Sequence, residues 1–122
     1  MHITVIGTGY VGLVTGACFA EMGNHVACID VDQRKLDQLN KGQIPIYEPG
    51  LENIVKRSFD QGLLTFSNDL AGAMKTSDVY FIAVGTPPGG DGSADLKFVL
   101  VVAEEIGDHL DKYAVIVDKS TV

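Results

Sequence analysis

Six residues near the N-terminus have the types and spacing of a phosphate cradle: Gly7-Thr8-Gly9-Tyr10-Val11-Gly12. The pattern G-x-G-x-x-G acts this way when a strand precedes it and a helix follows. Here Ile3 to Ile6 make a short apolar run, and residues 10–22 carry helix formers and small residues up to Gly23-Asn24. Gly7 would permit the tight turn, Gly9 would let a pyrophosphate approach the backbone, and Gly12 would let the helix sit close to the strand. A helix start also presents unpaired N–H groups and roughly half a positive charge.

A second residue fits the same ligand. Asp30 closes the next apolar run, Val26 to Ile29, 18 residues after Gly12. An acidic side chain about 20 residues beyond the glycines accepts hydrogen bonds from an adenosine ribose. Its charge repels a 2′-phosphate, so the pairing favours NAD over NADP. Arg34 and Lys35 follow closely; by type alone they are either a solvated helix face or neighbours of the ribose. His2, His25 and His109 are scattered and suggest no metal set.

These residues need a scaffold, and the apolar pattern supplies one. Helices are expected at 33–40, with Leu36 and Leu39 inward, and at about 50–60, with Leu51, Ile54 and Val55 on one face. A further strand spans Leu63 to Phe66. Asn68 or Ser67 is suited to cap a helix running to about Lys75. Val79 to Val84 are continuously apolar, as in a strand covered on both faces. Asp95 suits the N-cap of a helix in which Leu96, Val99, Leu100, Ala103, Ile106 and Leu110 recur at helical spacing. Ala114 to Val117 form the fifth strand. Strands alternating with helices imply a doubly wound parallel α/β sheet, Rossmann-like, in three α/β/α layers with order 3-2-1-4-5. The loops after Ile6 and Val84 would then face one ligand at the switch point.

The chain has 122 residues, one domain's worth, with 46% hydrophobic and 20% charged residues. Its net charge of −7 argues against nucleic acid. No apolar run reaches a membrane span, and no basic leader with a cleavage site precedes the first strand. Cys18 and Cys28 are expected as buried free thiols in a reducing cytosol.

Four stretches together resemble the N-terminal NAD-binding domain of the UDP-glucose/GDP-mannose dehydrogenase family: Val5 to Leu13, Leu39 to Leu51, Ile82 to Pro87 with Asp91 to Leu96, and Lys119 to Val122. The spelling Pro45-Ile-Tyr-Glu-Pro-Gly-Leu51 is similar to the UDP-glucose branch. The resemblance implies that Gly7, Gly9, Tyr10, Val11 and Gly12 cradle the pyrophosphate of NAD and that Asp30 takes the ribose, with Lys35 beside it. It implies further that Val84, Gly85, Thr86, Pro87, Ser120 and Thr121 line the nicotinamide half, Thr121 helping to place a catalytic water. On residue type alone, Thr86-Pro87-Pro88 is also an ordinary turn, and Ser120 and Thr121 a strand end. Asp91 and Asp95 read as a turn residue and a cap rather than ligands. Tyr47 and Glu48 receive no role.

The family's enzymes oxidise a sugar's primary alcohol to a carboxylate in two hydride transfers to NAD, through a thioester on a cysteine. The residues that do this chemistry align beyond Val122, and neither Cys18 nor Cys28 matches the nucleophile. The resemblance therefore implies that residues 1–122 are the cofactor domain of an oxidoreductase acting on UDP-glucose and are inactive alone. The parent would be a homodimer or higher homo-oligomer, with a central helix and a sugar-nucleotide domain following. Another sugar nucleotide, or a non-catalytic dinucleotide-binding module, is the alternative.

Overall fold

The computed structural model describes residues 1–44, 49–83, 97–109 and 115–118. Its elements run β1 (His2–Ile6), α1 (Tyr10–Glu21), β2 (His25–Ile29), α2 (Gln33–Asn40), α3 (Leu51–Asp60), β3 (Leu64–Ser67), α4 (Leu70–Met74), β4 (Val79–Ile82), α5 (Lys97–His109) and β5 (Val115–Asp118). The five strands form one sheet of order β3-β2-β1-β4-β5. Every pairing is parallel. The order and class are those expected from the strand–helix alternation.

Alternating side chains of the central strands feed two cores. On one face Ile3, Val5, Val26, Cys28, Leu64 and Phe66 meet Leu13, Ala17 and Ala20 of α1, Leu36 and Leu39 of α2, and Leu51 and Val55 of α3. On the other, Ile6, Ile29, Tyr80 and Ile82 meet Leu70 and Met74 of α4 and Ile106 of α5. The helices thus cover both faces, and β1 between β2 and β4 is buried on each. This explains why the β1 and β4 runs are apolar without alternation.

Register fixes where the strands end. Ile6 pairs with both Ile29 and Ile82. The chain therefore leaves β1, β2 and β4 side by side, at Gly7, Asp30 and Ala83. Two bonds tie these ends together, the Gly7 amide donating to the Ile29 carbonyl at 2.7 Å and the Ala83 amide to that of Ile6 at 2.8 Å, while the Asp30 amide donates to the Ser67 carbonyl at the end of β3 at 3.1 Å.

Several local expectations need correction. Cys18 is exposed, while Cys28 is buried. Helix α1 turns Leu13, Ala17 and Ala20 to the sheet, and Cys18, one residue beyond Ala17, falls on the outer side. The cap of α4 is Asp69, whose carboxylate accepts from the Gly72 amide at 2.9 Å; Ser67 instead accepts from the Asp69 amide at 3.2 Å, and neither it nor Asn68 caps the helix. On α5, Ile106 is buried and Val102 packs with it, while Leu100 is 65% exposed and Ala103 also faces outward. Leu100 lies two residues from Val102, about 200° round the helix, so both cannot face the core. Strand β3 starts one residue later than the apolar run suggests, and β4 ends at Ile82; Ala114 lies outside the described residues. Asp91, Asp95, Leu96, Leu110, Tyr47 and Glu48 lie outside the described residues.

Candidate dinucleotide site

The glycine turn is built as its spacing requires, with one refinement. Gly7 has φ +106°, a conformation that side chains strongly disfavour. At Gly12, an added Cβ would lie 1.8 Å from the Gly7 carbonyl oxygen and 3.4 Å from the Ala83 Cβ. The close approach that Gly12 permits is thus mainly to the turn itself and only secondarily to the strand beyond it. The Leu13 amide closes the first helical bond on Gly9 at 2.9 Å.

Gly9 is different. Its φ of −73° and ψ of −165° suit any residue, and an added Cβ would meet no atom of the described residues within 4 Å. Neither the backbone nor packing among the described residues requires a glycine there. What a methyl group would obstruct is the open space above the turn. Gly9 also leaves α1 without a side-chain cap, and the first turn of α1 carries no acidic residue. By contrast, α2 and α4 are capped by Asp32 and Asp69, and α3 has Glu52 in its first turn. A helix start with no side chain on its N-cap residue is suited to an anion such as a pyrophosphate. The residues present therefore fit the phosphates of a dinucleotide.

Asp30 faces this turn. Its Oδ2 accepts from the Thr8 hydroxyl at 2.6 Å and from the Thr8 amide at 2.9 Å, and its Oδ1 accepts from the Asp32 amide at 2.9 Å. Burial pushes the carboxyl pKa up. The Thr8 hydroxyl, the amides of Asp32 and Thr8, and the Lys35 charge together outweigh it, holding Asp30 below its ordinary value and ionised at neutral pH. Lys35 is thus close enough to be felt electrostatically. Asp32 in turn caps α2 through the Arg34 and Lys35 amides, at 3.0 and 3.3 Å, so Asp30 sits on a rigid corner.

The structure brings Gly7, Gly9, Tyr10, Val11, Gly12, Asp30 and Lys35 to one end of the sheet. Val84, Gly85, Thr86, Pro87, Ser120 and Thr121 lie outside the described residues. Two residues here were not found from the sequence. Thr8 occupies a variable position of the glycine pattern, so nothing in the motif marks its hydroxyl. Val31, next to Asp30, is 97% exposed; an apolar residue just after the acidic position was the available signal. At the opposite end of the sheet lies a recess of about 180 Å³, lined by residues including His2, His25, Gly62 and Ser77. It has no part in the turn. Among the described residues, no helix is long and apolar enough to cross a membrane.

Comparison with known proteins bears on this geometry. The family described as UDP-glucose/GDP-mannose dehydrogenase, NAD binding domain, matches residues 1–122. UDP-glucose 6-dehydrogenase TuaD of Bacillus subtilis (strain 168) is 55% identical over 120 residues, covering 98% of this chain and 26% of the relative. The UDP-glucose 6-dehydrogenase of Pseudomonas aeruginosa is 54% identical over 122 residues, covering 100% of this chain and 27% of that relative. The chain therefore spans about a quarter of the length of these curated relatives. Among solved structures, the GDP-mannose dehydrogenase of Pseudomonas aeruginosa superposes with a TM-score of 0.94 at 38% identity, covering 100% of this chain and 29% of that one. A UDP-glucose dehydrogenase from Pyrobaculum islandicum gives 0.91 at 40% identity, covering 99% and 29%. The glycine turn at the start of α1, the acidic corner beside it and a match along the whole sequence agree, and the chain belongs to the UDP-glucose/GDP-mannose dehydrogenase family as its NAD binding domain.

Proposed function

We propose that this domain serves an enzyme that oxidises UDP-glucose to UDP-glucuronate. The observation that carries the reading is the Gly9 position, vacant of side chain where neither the backbone nor the described residues require it, at the start of α1 without a side-chain cap. The turn from Gly7 to Gly12 cradles the pyrophosphate, with main-chain contacts from Tyr10 and Val11, Asp30 accepts from the adenosine ribose with Lys35 beside it, and exposed Val31 offers an apolar wall to the adenine. Val84, Gly85, Thr86, Pro87, Ser120 and Thr121 would line the nicotinamide half, Thr121 nearest the reacting carbon. Bound NAD supplies a hydride acceptor.

The substrate rests on the curated relatives, of which several at 43–55% identity are UDP-glucose 6-dehydrogenases. The solved GDP-mannose enzyme at 38% makes that sugar nucleotide the second reading. The nucleophile and the sugar site belong to the rest of such a protein, a homo-oligomer working in the cytosol, where Cys18 and Cys28 remain reduced. Buried Cys28 has its thiol pKa pushed up to about 12 by desolvation and is unsuited to attack.

Two assays test this. Calorimetry on the protein carrying this domain should give NADH binding much tighter than NADPH binding; equal affinities would remove Asp30 as selector. Turnover should reduce two NAD per UDP-glucose, as a four-electron oxidation requires. Faster turnover of GDP-mannose would move the assignment to that branch.

A further inference from the structure

The Asp30 corner contains more than a ribose-binding carboxylate. A carboxylate offers about four acceptor positions, two on each oxygen. Thr8 fills both positions on Oδ2, with its hydroxyl and its amide, and the Asp32 amide takes one on Oδ1. One position, on Oδ1, is left for a ligand. Thr8 is itself 2% exposed, so its hydroxyl is directed by the fold rather than by solvent.

We infer that Thr8 is a positioning residue for cofactor choice: its two donors pin Oδ2 of Asp30, so that the carboxylate meets the adenosine ribose through Oδ1 with a single hydrogen bond. This rests on the proposed NAD site and adds a residue to it. The same bonds tie the phosphate turn to the ribose corner, since Thr8 lies within one and Asp30 in the other. Losing the hydroxyl removes the shorter of the two bonds on Oδ2 and loosens the hold on the carboxylate. The amide bond of Thr8 remains, so the turn itself is not cut.

This separates two roles. If Thr8 merely braced the turn, its loss would weaken every ligand that uses the pyrophosphate site. If it positions Asp30, the loss falls on the ligand whose 2′-hydroxyl Asp30 accepts, and spares the one carrying a 2′-phosphate there. The test is fluorescence titration of NADH, with NADPH measured by displacement, on the protein carrying this domain and on its Thr8→Val, Thr8→Ser and Asp30→Asn variants. Thr8→Val should weaken NADH roughly tenfold, the scale of one hydrogen bond to a charged group, and leave NADPH within about twofold. Thr8→Ser, which keeps the hydroxyl, should restore most of the NADH affinity. Should Thr8→Val not fold, Thr8→Ala removes the same hydroxyl and carries the same comparison. Equal loss of NADH and NADPH, or no loss of either, overturns the positioning role. A wild-type protein that binds NADH no better than NADPH, with Asp30→Asn unchanged, overturns instead the site on which it rests.

Discussion

Substituting Gly9 by alanine separates what the fold needs from what the ligand needs. The backbone at Gly9 is already in an allowed region for alanine, and the new methyl would meet no atom of the described residues within 4 Å. Two small effects on stability then oppose each other. Alanine at a compatible position stiffens the unfolded chain and stabilises by about 0.4–1 kcal/mol. Alanine is also a poorer N-cap than glycine, by about 0.5 kcal/mol. The sum lies within about 0.5 kcal/mol of zero, so the midpoint of thermal unfolding should move by no more than about 4 °C. Cofactor binding should behave otherwise. The methyl group occupies the space a pyrophosphate must enter to reach the first amides of α1. Losing one or two hydrogen bonds to a charged group, at about 1.5–3 kcal/mol each, weakens NADH binding by tenfold or more. Parallel thermal unfolding and NADH titration of Gly9→Ala measure both quantities. Unchanged affinity in a stable variant would refute the reasoning, because the glycine would then serve neither fold nor ligand. A large fall in stability would refute it differently, by showing a packing need that the described residues do not impose.

Other perturbations have distinct signatures. Gly12→Ala places a Cβ 1.8 Å from the Gly7 carbonyl, a backbone atom that cannot rotate aside; it should destabilise by about 1–3 kcal/mol or more, and the midpoint should fall along with NADH affinity. Asp30 has a folded-state pKa below its unfolded one. Its contribution to stability is therefore full above the unfolded carboxylate value near about 4 and is lost as pH falls through the folded pKa. Asp30→Asn should flatten the acid limb of a stability–pH profile, and an unaltered limb would show that the carboxylate gains nothing from Thr8 and Asp32. With Cys18 exposed and Cys28 buried with a pKa of about 12, a thiol reagent at mildly alkaline pH should modify one cysteine in the native protein and both after denaturation. Rapid native modification of both would contradict the burial of Cys28.

Much of this arrangement is legible in the residues. Sheet order followed from the alternation of apolar strands and helical segments, because parallel crossovers leave few topologies. The glycine turn and Asp30 were legible because their spacing reflects a backbone geometry that few sequences meet. The side on which α1 turns Cys18 was not, because a helix of small residues such as α1 has little amphipathic contrast to orient it. Asp69 displaced Asn68 and Ser67 as the cap of α4 because capping depends on where the first turn begins, and three adjacent residues of suitable type do not reveal that. The exposure of Leu100 was hidden by the breadth of the apolar stripe on α5, which is wider than the face the sheet can cover. The link from Thr8 to Asp30 joins residues 22 apart in sequence. It appears only when β1 and β2 are laid in register.

The central claim is that a dinucleotide seats its pyrophosphate on the glycine turn at the start of α1. It is tested most directly by following backbone amide resonances during NADH addition. The largest shifts should fall on Gly7 to Gly12 and on Asp30 to Asp32. Shifts concentrated instead around His2, His25, Gly62 and Ser77, at the opposite end of the sheet, would contradict it.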